Sequence, residues 1–251
     1  MLRLCILFLI CLAQPLWADM DRLVANNTRA TLYHEFAHAL VDIMDLKLFG
    51  QEEDAADTLA AYMVVKYHTP DEISDMMHDV SADYEANYKD MIRHKDSFYH
   101  AGEHGHYLQR KYNFICIVAG SDVQAYGDLA MELGLGDHRL DLCASEFAMA
   151  RYSWGNVLRD LTRNRANWTD HDVKFIVRDG ADGAVITPMA RDFTDFVNET
   201  FVIPAQLIVR VEPCGEENAF YQHGKKRVII ACTEYTSGVR RLQDLAGQKE
   251  R

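Results

Sequence analysis

The stretch from Thr31 to Tyr62, TLYHEFAHALVDIMDLKLFGQEEDAADTLAAY, restricts the folds open to this chain more than any other part of it. Ala30, Tyr33, Ala37, Leu40, Val41 and Met44 recur at 3.6-residue spacing and predict one helix over about Asp21–Asp45. His34 and His38 lie on the flank of that stripe, one turn apart and aimed to the same side, toward a neighbouring element. Leu48, Phe49 and Gly50 break the pattern, and a second helix runs over about Gln51–Tyr67 with Ala56, Ala60, Met63 and Val64 facing inward. The small alanines let the two helices approach closely. Glu53 and Asp57 fall on or beside this inward stripe, whereas Asp54 points outward and Glu52 leans toward Leu59. Two carboxylates on a packed face are costly unless a cation compensates them. A divalent metal would do so.

The pentapeptide HEFAH matches H-E-x-x-H, in which two histidines one turn apart hold Zn²⁺ and the intervening Glu35 polarises the attacking water. Five residues alone are modest evidence, and a pair of core histidines satisfied by backbone or acids is the alternative reading. The acidic run EEDAAD, which starts 14 residues after His38, shifts the balance toward metal. Glu53 is then the third ligand beside His34 and His38, and Asp57 accepts the outer ring N–H of a ligand histidine and fixes its tautomer.

The 251-residue chain carries a formal charge of −12 and no cluster of Lys and Arg, which argues against nucleic acid as a partner. Residues 1–18 read as a secretory leader cut after Ala18, although Leu16 is larger than the small residue usual three positions before a cut. Its apolar run is shorter than the ~20 residues a membrane span needs, and Cys11 lacks the small residues of a lipid-anchor signal. Export to the periplasm or medium follows, with no stable membrane span after cleavage. The mature chain keeps Cys116, Cys143, Cys214 and Cys232, an even number that suggests two disulfides. Local pairing, Cys116–Cys143 and Cys214–Cys232, is preferred among the three connectivities; four buried thiols are the alternative.

The middle of the chain is mainly helical. A helical rhythm follows Pro70, and His100, His104 and His106 crowd a polar, glycine-bearing loop before another helix. Phe147, Arg151, Trp154 and Leu158 mark a further amphipathic helix, with Trp154 in the core. After about residue 165 the pattern changes. VKFIVRDG, QLIVRVE and RVIIACT are strand-like, the last paired with NAFYQHGKK as a hairpin, and a helix starts with Thr187 as cap and Pro188 in its first turn. The expected fold is a single α+β unit over 19–251: a mainly helical part to about 165 holding the metal, then a small, antiparallel C-terminal sheet.

The combination of H-E-x-x-H with E-x-x-A-D resembles the gluzincin branch of zinc metallopeptidases. More closely, HEFAHALV, GQEEDAAD, YNFICIVAGSD and CGEENAFY together resemble one bacterial metallopeptidase family, from Thr31 to Tyr235. Metzincins are excluded, since Val41 and Met44 stand where their glycine-and-histidine extension would be. The resemblance implies a zinc-hydrolase scaffold. It assigns His104 an oxyanion-stabilising or substrate-orienting role, and leaves His100 and His106 as solvated loop residues. It makes Asn218–Tyr221 an edge strand along the cleft, with Asn218 and Ala219 binding an extended peptide and Tyr221 donating a hydrogen bond; a purely structural hairpin pinned by Cys214–Cys232 is the equal alternative. The expected function is a zinc-dependent peptidase acting on peptide or protein, with a zinc amidase or an inactive binding scaffold as alternatives.

Overall fold

A computed structural model describes residues 16–94, 102–163, 167–181, 184–224 and 226–247. Most of the expected leader and His100 lie outside these residues. Six helices come first: α1 (Leu16–Ile43), α2 (Glu52–Tyr67), α3 (Pro70–His94), α4 (Tyr107–Ser121), α5 (Val123–Glu132) and α6 (Asp137–Leu161). The C-terminal part alternates as β1 (Lys174–Val177), α7 (Ile186–Thr200), β2 (Leu207–Glu212), β3 (Ala219–Gln222), β4 (Arg227–Cys232) and α8 (Tyr235–Gly247). The fold is α+β and mainly helical, as its patterning implies.

Helix α1 is the axis of the molecule. Leu32, Phe36, Ala37, Ala39 and Leu40 are wholly buried, and α2, α3, α7, α8, β3 and β4 all pack around it. The alanine stripe of α2 does what its size allows: Ala56, Ala60 and Ala61 are buried, so the two backbones run close together. That closeness lets acids on the first turn of α2 reach histidines on α1. Trp154 is buried in α6, and its indole N–H donates to the Ala55 carbonyl at 2.9 Å, tying α6 to α2. Helices α4 and α6 also approach closely at Gly120. A Cβ on Gly120 would lie 2.0 Å from the Cys143 carbonyl oxygen, so only glycine fits.

The sheet departs from expectation. Its order is β1-β2-β4-β3, and only the β3–β4 hairpin is antiparallel; β1 pairs β2 and β2 pairs β4 in parallel. The cause is visible in the chain. Helix α7 carries it from β1 back to the start of β2, the crossover that parallel neighbours require. Thr187 does not cap α7 either: its hydroxyl donates to the Ala181 carbonyl at 3.1 Å, and Val185 occupies the cap position. One face of the sheet adds Val209, Val211, Ile229, Ala231 and Tyr221 to the main core. The other forms a small cluster of Val228, Ile230 and Cys232 with Ile208, Cys214 and Phe220 against it. Among the described residues no helix is long and apolar enough to cross a membrane.

Both disulfides pair locally. Cys116–Cys143 staples α4 to α6, and Cys214–Cys232 closes a span of 18 residues around β3. Cross-links of this span stabilise mainly by restricting the unfolded chain, by about 3 kcal/mol. Replacing Cys214 and Cys232 together by serine should therefore lower unfolding free energy by about that amount. Denaturant titration of the non-reduced protein measures it.

Candidate metal centre

His34 and His38 occupy successive turns of α1, with ring centroids 4.9 Å apart and their Nε2 atoms 3.1 Å apart. Glu53, in the first turn of α2, closes the triangle. Its Oε2 lies 3.1 Å from His34 Nε2 and its Oε1 3.6 Å from His38 Nε2. The outer nitrogens are also held: His34 Nδ1 meets Asp57 Oδ1 at 2.9 Å, and His38 Nδ1 meets Glu52 Oε1 at 2.8 Å. A carboxylate only accepts, so each Nδ1 carries the hydrogen. In the neutral rings both Nε2 atoms then present lone pairs to each other and to Glu53. Three donors converge without a hydrogen between them, and a cation fits that set. A tetrahedral ion with bonds of about 2.05 Å sets its donors about 3.3 Å apart, close to the 3.1 Å that separates the two ring nitrogens and that separates His34 from Glu53 Oε2.

Without a metal, the carboxylates instead draw a proton onto the rings. Burial opposes a charge on His34, but the Asp57 and Glu53 carboxylates outweigh it and raise the ring to about 9. His38 is also raised, burial being overcome by Glu53 and Glu52. Burial alone would raise Glu53; contacts from His104, His34 and His38 instead hold it far below the usual carboxylate range. Asp57 is treated likewise by a forked contact from Arg110, whose Nε and Nη2 stand 2.7 and 2.8 Å from its oxygens. The Arg110 guanidinium in turn lies over the Tyr84 ring, 5.2 Å from its centroid.

His104, on the loop before α4, places Nε2 2.8 Å from Glu53 Oε2 and stacks on His34 with centroids 5.9 Å apart. Two overlapping trios result. His34, Glu53 and His104 have donor atoms within 4.8 Å of one another, while His34, Glu53 and His38 form the triangle described above. His104 is half exposed and His38 is buried between helices. His106 caps α4 instead, its ring nitrogen accepting from the Leu108 amide at 3.3 Å.

Glu35 is buried one residue from His34, and burial raises its carboxyl. The Tyr221 main chain stands close enough to oppose part of that rise. The register of β3 accounts for this approach. Cys232 N donates to Asn218 O, so Asn218, Phe220 and Gln222 turn their backbone groups toward β4. Ala219 and Tyr221 turn theirs to the open edge, toward α1. The Ala219 amide is taken by its own neighbour, the Asn218 side-chain oxygen, at 2.9 Å. The Tyr221 hydroxyl donates to Asp42 at 2.6 Å, beside Arg227 at 3.0 Å. It is thus anchored one helical turn beyond His38.

The sequence pattern brings together His34, Glu35, His38, Glu53, Asp57 and His104. Glu52 was expected to lean toward Leu59; its side chain instead bends back to the His38 ring, within reach because it stands in the first, least constrained turn of α2. Arg110 was not foreseen. Its partner Asp57 is 53 residues away, and the only sequence signal is an arginine one turn into the helix after the His104 loop.

A model of the family described as "Putative metallopeptidase" matches residues 13–158, which include every residue of the triangle and His104 and end before the sheet. No curated protein and no solved structure matches the chain.

Two predictions follow from this geometry. His38→Ala should lower divalent-metal affinity by far more than His104→Ala, because the lone pair of His38 faces into the triangle whereas the His104 ring reaches only Glu53. Chelator competition ranks them; the opposite order would transfer the third ligand to His104. Metal binding should also release a proton at pH 7, since His34 holds one in the metal-free protein up to about pH 9 and must lose it to coordinate. Affinity then rises about tenfold per pH unit below that point, as calorimetry in buffers of different ionisation enthalpy can determine.

Proposed function

The chain belongs to the family of metallopeptidase description matched over residues 13–158, and from that premise we propose that it is an exported zinc-dependent peptidase. The observation that carries this reading is the convergence of two ring nitrogens and one carboxylate whose outer hydrogen bonds fix both tautomers. His34, His38 and Glu53 would hold Zn²⁺; two imidazoles and one carboxylate are a donor set that leaves a fourth position for water or substrate. Bound there, Zn²⁺ supplies Lewis acidity, lowering the pKa of a water and polarising a carbonyl.

The remaining chemistry belongs to the side chains. Glu35 points about 100° around α1 from His34, so it stands beside the donors without joining them. Its buried, upward-shifted carboxyl is suited to take a proton from the attacking water and pass it to the leaving amine. Asp57 and Glu52 keep the imidazoles in the tautomer that exposes Nε2. His104, on Glu53 and open to solvent, is placed to meet a developing oxyanion or to orient substrate. Asn218, Ala219 and Tyr221 form the edge along which an extended peptide would lie. The described residues from α1 to α8 act as one unit in this scheme, since β3 must sit against α1. Local disulfides in both halves support export.

Glu35→Gln keeps the shape of the side chain and removes its basicity. It should retain zinc and melting temperature while losing roughly 10²–10⁴ in hydrolysis rate. Mass-spectrometric profiling of peptide-library cleavage, with zinc content measured in parallel, provides the test. A wild type that binds zinc and cleaves nothing, or a Glu35→Gln variant as fast as wild type, would sink the reading. Asp57→Ala should weaken zinc binding by about 10–100-fold.

A further inference from the structure

A cavity of about 570 Å³ opens on His34 and Glu35 and runs away from the metal donors between α1, α3 and α8. The two arginines in its wall are already engaged. Arg110 forks onto Asp57, and Arg241 onto Glu217 at 3.1 and 2.6 Å. Two acids remain on α3, where Asp83 and Asp90, with the amide of Asn87 between them, recur at helical spacing along the cavity. Asp83 Oδ2 accepts from Asn87 Nδ2 at 3.0 Å, while Asp83 Oδ1 is sealed from solvent and makes no well-formed hydrogen bond, its neighbouring donor being the equally unpaired Gln243 Nε2. Asp90 Oδ1 is likewise sealed; the His94 ring nitrogen stands 3.5 Å away, too far for a hydrogen bond, and Arg241 acts on it only at longer range. A buried acceptor left in this state is costly and calls for an account. Burial pushes the Asp83 carboxyl up to about 7, which Arg110 and Asn87 only partly oppose.

The opposite character is also present. Ala30, Ala60, Val80, Phe114, Val239 and Leu242 give the cavity apolar surface. An occupant that satisfies both features has a long aliphatic stem and a cationic tip. We propose that this cavity is a specificity subsite for a lysine or arginine side chain flanking the scissile bond of a peptide, with Asp83 accepting the cation and Asp90 reinforcing the negative field. The proposal rests on the peptidase reading for the bond that is cut, but not for the binding of the side chain. A free α-amine offers the same charge without the stem, and would leave the apolar walls uncovered.

Binding can be read without turnover. Zinc-loaded Glu35→Gln protein is titrated calorimetrically with acetylated, amidated pentapeptides of alanine carrying lysine, arginine, norleucine or glutamate at the centre. Lysine and arginine peptides should bind at least tenfold more tightly than norleucine, which matches the stem without the charge, and glutamate should bind least. Adding Asp83→Asn should erase the lysine preference while leaving norleucine affinity in place, with an unchanged melting temperature. Equal binding of lysine and norleucine in the Glu35→Gln protein overturns the assignment, whether or not Asp83→Asn folds. So does a lysine preference that survives in a folded Asp83→Asn variant. The same peptides without the acetyl cap are titrated in parallel, and tight binding confined to these would give the cavity to the α-amine and overturn the side-chain reading. Absence of cleavage by wild type, with the lysine preference intact, would instead count against the peptidase reading alone.

Discussion

Between α1 and α2 two imidazoles meet three carboxylates away from bulk water, an arrangement unfavourable for any one of these groups alone. It holds because each group has a partner on each side. Arg110 holds Asp57, Asp57 holds His34, His34 and His38 face Glu53, and Glu52 holds His38 from the rim. Removing one member leaves its neighbours charged, buried and unmatched, so the chain of contacts acts as a unit rather than as separate pairs. The close α1–α2 packing through Ala56, Ala60 and Ala61 is what makes such contacts geometrically possible. Bulkier residues there would move the carboxylates out of reach of the rings.

The legible part of this arrangement was the part written in local periodicity. Spacing of four puts His34 and His38 on one face, and Glu53 and Asp57 repeat the trick on the next helix, so one short loop suffices to bring them together. Local disulfides were legible for the same reason, since each staples neighbouring elements. What was hidden depends on contacts distant in sequence or on rotamers. Arg110 joins from α4, and nothing near it in sequence names Asp57 as its partner. The turn of Glu52 toward His38 is a rotamer choice that the helical wheel does not contain. The parallel pairing of β1, β2 and β4 was masked because the obvious hairpin, β3–β4, is the one antiparallel pair. Helix α8 went unread; its apolar positions at Val239 and Leu242 are few, and its partner surface is α3, far back in the chain.

The C-terminal part has a role in the site that its distance from H-E-x-x-H conceals. The strand β3 is short and at the sheet edge, where unpaired backbone groups are ordinarily a hazard. Here those groups are directed at α1. The Tyr221 main chain stands by Glu35, the Tyr221 hydroxyl donates to Asp42, and the Asn218 side chain folds over the Ala219 amide. Glu35 is thus faced from the sheet, while the metal donors are oriented from the helices.

This division has a consequence for how a peptide could enter. An incoming strand that pairs with β3 competes with Asn218 for the Ala219 amide and approaches the Tyr221 main chain beside Glu35. Each contact it makes there replaces one already present, so the edge contributes less net affinity than an open edge would. Backbone pairing along β3 would therefore add little affinity unless side-chain contacts elsewhere in the cleft accompany it. The strand's own main chain at Tyr221 stands by the buried Glu35 carboxyl, beside the converged nitrogens of His34 and His38.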